Sequence, residues 1–267
     1  DTIAQVATVA KNRHPEAPDF EPISRAYAED YAAHEAEWSP RINRHAGNGT
    51  VTPSLMLDYL DSLRPIEEAS LARVSSSKLM AGATRGDFYA AGRLVRFRPG
   101  AATAINRFLA MRLPTYVVSV NWSHDFIRGA LHANGVVDAE KIAIYCNDPE
   151  FDSCTGLCTG WLAPRITVAG DKTKVIRELR RSVEDGDRGD CRSFVVYVGD
   201  SLTDLPALLA ADLGFIVGSS SSVTSWCQWL GILPQPDPAS GTMHFDSHWP
   251  CIEKTVVRSV SCKDKKE

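Results

Sequence analysis

The stretch Tyr197-Val198-Gly199-Asp200-Ser201-Leu202-Thr203-Asp204-Leu205 constrains this chain more than any other. The apolar run from Phe194 to Val198 predicts a buried strand that stops at a glycine. Two carboxylates follow, four residues apart, and Leu205 to Ala211 then predicts a helix. That order puts both carboxylates at the carboxyl end of a strand, where open α/β sheets hold their ligands. Paired hard oxygens there suit Mg²⁺, which takes one or two carboxylates together with substrate phosphate and water.

The rest of the chain supports an α/β reading. Thr2 to Lys11 predicts a helix, and Ile23, Tyr27, Tyr31, His34 and Trp38 recur at spacings of three and four, one apolar helix face. Leu55, Met56, Tyr59, Leu60 and Leu63 repeat the pattern, so residues 20–90 read as a helical module without a strand. After Arg98-Pro99-Gly100 the rhythm changes. Helix (Ala101 to Leu113), strand (Thr115 to Val120), helix (His124 to Asn134) and strand (Lys141 to Tyr145) alternate, which implies βαβ units and a parallel sheet covered on both faces. Phe151 to Ala163, with Gly156 and Gly160, predicts a hairpin, and Thr173 to Val183 a helix. A last strand is expected at Leu213 to Val217, the serines from Ser219 to Ser222 read as a loop, and the tail from Pro234 is poorly patterned.

Composition narrows the function classes. The 267 residues can bury a full core, with 44% hydrophobic and 23% charged residues. A formal charge of −4 supplies no general basic surface, which argues against a nucleic-acid partner. No apolar run reaches the roughly 20 residues that span a bilayer. Seven scattered cysteines favour a reducing, cytoplasmic setting over a disulfide framework, and the close pair Cys154 and Cys158 lacks the further ligands zinc requires. No HxH or HExxH occurs among the seven histidines.

Further polar groups fall where they could join Asp200 and Asp204. Ser119 ends a strand and is followed by a predicted helix N-terminus, a natural anion site. Lys172 opens another helix and supplies a cation, with Lys174 as its rival. In these residues the chain resembles the haloacid dehalogenase-like (HAD) superfamily of phosphatases. There a strand-terminal Ser or Thr binds phosphate, a lysine neutralises the anionic centre and a GDxxxD element holds Mg²⁺. Ser119, Lys172, and Asp200 with Asp204 match in order and spacing. The segments Val118 to Ser123 and Val198 to Ser222 are similar, more narrowly, to the phosphatase domain of plant thiamine-phosphate phosphatases and to uncharacterised fungal relatives. Asn121 and Trp122, in the first of these, become candidates for substrate binding beside Ser119 and Lys172. The resemblance implies a Rossmann-like core at 1–16 and 94–267, a helical cap at 17–93 inserted after the first strand, a Mg²⁺ cofactor and a small phosphorylated metabolite as partner.

One departure matters. The family's nucleophile and acid/base lie in a DxDxT motif at the end of the first core strand, and none occurs in these 267 residues. Asp58 and Asp61 are one residue too far apart, and Asp148 and Asp152 have the wrong spacing. Asp1-Thr2-Ile3-Ala4 resembles the segment that family members carry just after that motif, so the first strand and its nucleophile are expected immediately upstream of Asp1. The given chain is then expected to be poorly stable alone. Two other readings stand beside this one. A chain truly starting at Asp1 would be an inactive binding protein of the same fold. Gly199-Asp200-Ser201-Leu202 also spells the GDSL esterase signature, with Ser201 as nucleophile, although Asp246-Ser247-His248 has the wrong spacing for its DxxH partner.

Overall fold

The computed structural model describes residues 2–186, 193–218, 220–232, 243–244 and 247–261. Short helices α1 (Thr2–Ala7) and α2 (Val9–Arg13) lead into α3 (Glu21–Gly47), α4 (Pro53–Asp61), α5 (Arg64–Ser76), α6 (Arg85–Gly92) and α7 (Ala101–Ala110). The expected alternation comes next: β1 (Tyr116–Val118), α8 (His124–Ala133), β2 (Ala143–Tyr145), β3 (Asp148–Phe151), β4 (Cys158–Ala163), α9 (Ala169–Gly186) and β5 (Val196–Gly199). The chain continues through α10 (Leu205–Ala210), β6 (Leu213–Ile216), α11 (Ser221–Trp229), β7 (Met243–His244) and α12 (Trp249–Ser261). The class is α/β, with parallel pairing between strands that helices connect.

Contacts divide the chain into two compact units. One comprises Asp1–Trp38, Leu63–Arg98 and Ile105–Thr167; the other comprises Ser39–Ser62, Pro99–Ala104 and Val168–Glu267. Residues 17–93 carry helices but no strand, apart from an isolated bridge between Thr84 and Leu157, and are shared between the two units.

In the first unit β1 pairs in parallel with β2, Tyr116 opposite Ala143 and Val118 opposite Tyr145. The predicted hairpin is present as β3 and β4, antiparallel, with Asp148 opposite Ala163. Cys158, Gly160 and Leu162 of β4 turn inward while Thr159, Trp161 and Ala163 face out, the period-two pattern of a half-buried strand. Helices α6 and α8 press together backbone to backbone. A Cβ on Gly92 would lie 1.9 Å from the Phe126 carbonyl oxygen, and one on Gly129 2.1 Å from that of Tyr89. The core of this unit gathers Val6, Val9, Val74, Met80, Phe88 and Phe126.

In the second unit β5, β6 and β7 form a parallel sheet in that order, with Val196 opposite Leu213 and Gly199 opposite Ile216. Every residue of β6 is buried. Tyr59 of α4 stacks on Trp226 of α11, ring centroids 5.6 Å apart.

Several expectations need correction. The parallel strands lie in a two-stranded and a three-stranded sheet, and β1 and β5, expected to flank a central strand upstream of Asp1, each pair on one side only among the described residues. Their residues are accordingly half-buried for the most part rather than buried, and Phe194 lies before the strand at 44% exposure. The serine run is not a loop throughout. Ser220 accepts a hydrogen bond from the Val223 N–H and caps α11, while Ser219 lies outside the described residues. The tail, read as unpatterned, contributes β7 and the 13-residue α12. Asp246 and the lysine-rich end lie outside the described residues. Among the described residues no helix is long and apolar enough to cross a membrane.

Candidate active site

Strand β5 delivers its chain to Gly199, where the backbone passes so close to Asp204 that a Cβ would meet the Asp204 Cβ at 2.5 Å. Only glycine fits. The turn then closes on Asp204, whose Oδ2 accepts hydrogen bonds from the Ser201 hydroxyl (2.7 Å) and from the N–H groups of Ser201 (3.1 Å) and Asp200 (3.2 Å). Its Oδ1 accepts from the Lys172 ammonium (2.7 Å) and the Tyr197 hydroxyl (2.8 Å). Lys172 also donates to the Thr203 hydroxyl at 3.1 Å.

Lys172 and Asp204 are 5% and 6% exposed, so this is a buried ion pair. Burial pushes the Asp204 carboxyl up. The adjacent Lys172 charge, with hydrogen bonds from Lys172, Ser201 and Tyr197, outweighs it and holds the carboxyl below its usual range. Tyr197 is driven the other way, first by burial and then by the Asp204 charge, and stays protonated. Lys174 is an exposed lysine 4.0 Å from Glu178, whereas Lys172 is the one buried against Asp204. Asp61, rejected as a nucleophile on spacing, lies against Gly170 in the first turn of α9, where a carboxylate complements the helix dipole.

Asp200 differs from its neighbour. It is exposed, and its carboxylate makes no hydrogen bond among the described residues. No group of three or more His, Cys, Asp or Glu side chains able to hold a metal occurs among the described residues. A hard cation that keeps several waters and a phosphate oxygen fits one open carboxylate of this kind.

Ser119, Asn121 and Trp122 belong to the other unit. Asn147 braces their loop: it is 1% exposed, its backbone N–H donates to Asn121 O, its amide donates to Val120 O and Ile166 O, and its Oδ1 accepts from the N–H groups of Arg165 and Ile166. The Ser119 Oγ accepts from the Asn121 N–H at 3.1 Å. This leaves the Ser119 O–H and the N–H groups of Val120 and Trp122 without partners among the described residues, three donors for an anion.

Three expectations change here. The start of α8 is poorly suited to an anion, because its Phe126 N–H is capped by Ser123, its His124 N–H donates to Asp148, and Asp125 puts a carboxylate in its first turn. The Asn121 side chain is buried and accepts from the Ser123 N–H, so it shapes the loop. Trp122 is 6% exposed and packs edge-on against Phe20 in the core, where its ring cannot stack on a ligand. Ser201 also reads differently from an esterase nucleophile: its hydroxyl is spent on Asp204 and Thr203, with no histidine on it. Tyr197, Thr203 and Asn147 were not picked out by any motif. Asn147, between Cys146 and Asp148, falls in no motif and gives no signal, whereas the Tyr197 hydroxyl on the strand feeding Gly199 could have suggested a buried acceptor.

The chain overlaps in fold with a cytosolic 5'-nucleotidase IIIB bound to cytidine, with a TM-score of 0.54 over 88% of this chain and 75% of that one, at 13% identity. The fold is haloacid dehalogenase-like. In sequence the chain is similar to a CTO1 family protein of Schizosaccharomyces pombe, 28% identical over 204 residues that cover 74% of this chain and 71% of that protein. It is also similar to the bifunctional TH2 protein, mitochondrial, of Arabidopsis thaliana, 27% identical over 168 residues. That match covers 61% of this chain and 26% of the plant protein, so the chain spans about a quarter of that relative. No family model matches.

Proposed function

We propose that this chain carries the phosphate-handling and cation-holding groups of a Mg²⁺-dependent phosphatase that hydrolyses a small phosphomonoester. The observation that carries the reading is the buried Lys172–Asp204 pair at a strand end, beside the exposed carboxylate of Asp200, which has no partner among the described residues. Lys172 offers a fixed positive charge to a phosphoryl oxygen. The Ser119 hydroxyl and the neighbouring N–H groups offer neutral donors, which matter most where charge builds in the transition state. Asp200 would hold Mg²⁺, which when bound neutralises charge on the transferring phosphoryl group.

The attacking group in this proposal is an aspartate upstream of Asp1. It forms an aspartyl-phosphate while a second upstream aspartate protonates the leaving alcohol and then activates water. Resemblance favours thiamine monophosphate as substrate over other small phosphomonoesters.

In the protein expressed from its complete coding sequence, Asp200→Asn is expected to abolish Mg²⁺-dependent release of phosphate. Retained turnover would refute the assignment. Inhibition by beryllium or aluminium fluoride is expected, and covalent labelling of Ser201 by a fluorophosphonate would revive the esterase. A panel of phosphomonoesters then tests the substrate, with thiamine monophosphate as the first expectation and a sugar phosphate as the informative contrast.

A further inference from the structure

Between Phe88 and His124 the chain carries five arginines and no aspartate or glutamate, although the whole chain has 33 acidic and 29 basic residues. Arg93, Arg96, Arg98, Arg107 and Arg112 are all exposed, and none has an ion pair among the described residues. The carboxylates that follow α8 are already taken: Asp138 pairs with Lys141, and Glu140 with Arg128 and His132.

Two asparagines gather this charge at one end of the first unit. Asn134, at the end of α8, donates its amide to Val95 O at 2.9 Å and accepts from the Phe97 N–H at 3.0 Å. Asn106 of α7, beside Arg107, donates to Gly135 O and accepts from the Val137 N–H, both at 2.8 Å. In the run after α6 exposure alternates. Val95 packs on the core and Phe97 is half-buried, while Leu94, Arg96 and Arg98 face water. Leu94 is 70% and Val137 68% exposed. Beside Leu94 an open hollow of about 360 Å³, lined by Val9, Ala90 and Ala91, continues the apolar surface.

We propose that this end of the first unit docks on a membrane surface that carries anionic phospholipid headgroups. Guanidinium groups pair with phosphate through two parallel hydrogen bonds. Apolar side chains set among such cations enter the boundary between headgroups and acyl chains, as Leu94 and Val137 are placed to do. Nucleic acid would use the same cations, but it is held by stacking on aromatic rings, and Phe97, the one ring in the run, is half-buried. Ser119 and its loop precede α8, whereas the arginines gather at its far end. Its 10 residues, at about 1.5 Å each, set the two about 15 Å apart. The proposal is therefore independent of the phosphatase reading.

Flotation of the complete protein with vesicles tests it. Binding is expected to an equal mixture of phosphatidylcholine and phosphatidylserine and not to phosphatidylcholine alone. It is expected to fall as salt rises from about 0.1 M to about 0.5 M. The triple variant Arg93→Gln, Arg96→Gln, Arg98→Gln is expected to bind about a hundredfold more weakly, at about fivefold per arginine, and Leu94→Ser about tenfold more weakly. Removing the same charge from other exposed sites, in Arg25→Gln, Arg44→Gln, Arg177→Gln, is expected to change nothing. Failure to bind the mixed vesicles, equal binding to both kinds, or equal losses in the two triple variants would overturn the proposal. So would tighter binding to a DNA duplex or an RNA strand that the first triple variant loses, which would assign the arginines to nucleic acid. Lipid preference and salt dependence are read on the wild type, so a variant that fails to fold does not protect the proposal.

Discussion

Asn147 uses both lone pairs of its Oδ1 and both hydrogens of its amide on backbone groups of two loops, at 1% exposure. Asn147→Leu keeps the volume and strands those backbone partners. Each buried unpaired group costs about 1–3 kcal/mol, so a loss of about 3 kcal/mol or more is expected in the urea unfolding free energy. A loss below about 1 kcal/mol would mean that water reaches the partners. Glu67 supplies a pH test. Burial raises its carboxyl, only partly offset by the hydrogen bond donated by Tyr27. A carboxyl raised in the folded state binds its proton more tightly there. Stability is therefore full below the ordinary carboxylate range, about pH 4, and falls as pH rises through the folded value. Glu67→Gln is expected to melt at or above the wild type at pH 7, with the advantage gone near pH 4. A constant difference across that range would contradict the burial. At this scale the motif drew attention to the turn whose Asp204 proves to be paired with Lys172 and whose Asp200 is exposed. The sequence was silent at Asn147, whose partners are distant in the chain, and at Tyr197 it gave a hydroxyl on a strand but not the acceptor that the closed turn provides.

Helices α6 and α8 meet where neither can carry a side chain. A Cβ on Gly92 or Gly129 would fall within 2.1 Å of a carbonyl oxygen on the facing helix, a clash with backbone rather than with a movable side chain. Gly92→Ala and Gly129→Ala are each expected to cost about 3 kcal/mol, at the upper end of overpacking penalties. Because either change pushes the same two helices apart, the double variant should cost less than the sum, which urea melts of all three would show. Full additivity would place the strain elsewhere. Strand protection tracks the pairing pattern: β6 is buried at every position between two partners, whereas β1 pairs on one side and is half-exposed. Amide exchange is expected to be slower at Leu213–Ile216 than at Tyr116–Val118. The βα alternation and the hairpin were readable because apolar periodicity reports a buried face. Helix α11 was missed because its serines are caps as well as loop formers, and only the Ser220 bond to Val223 tells which. Strand β7 has two residues, too few to show any period. Helix α8 was legible as a helix, but its close approach to α6, set by two glycines, was not.

The chain carries 29 basic and 33 acidic residues, a formal charge of −4, and a phosphomonoester is itself an anion. The long-range field of such a molecule repels its proposed substrate, so attraction must be local and must outweigh that field at short range. Within the second unit the balance is tighter still. Lys172 is matched by Asp204 at 2.7 Å, which leaves the uncompensated charge of Asp200. A phosphate dianion meets a cluster with no net positive charge until a divalent cation occupies Asp200. For the complete protein, inorganic phosphate is expected to bind measurably by calorimetry in the presence of Mg²⁺ and not in EDTA. Added salt should not weaken substrate capture. Screening lengths shrink from about 30 Å at 0.01 M to about 10 Å at 0.1 M ionic strength, which removes repulsion from distant acids while leaving contact-range donors nearly untouched. At saturating Mg²⁺, kcat/KM for a phosphomonoester is therefore expected to stay level or rise between these ionic strengths. A fall of about tenfold would require a basic surface that steers the substrate in, and would overturn the view that contact-range donors and one bound cation provide the attraction.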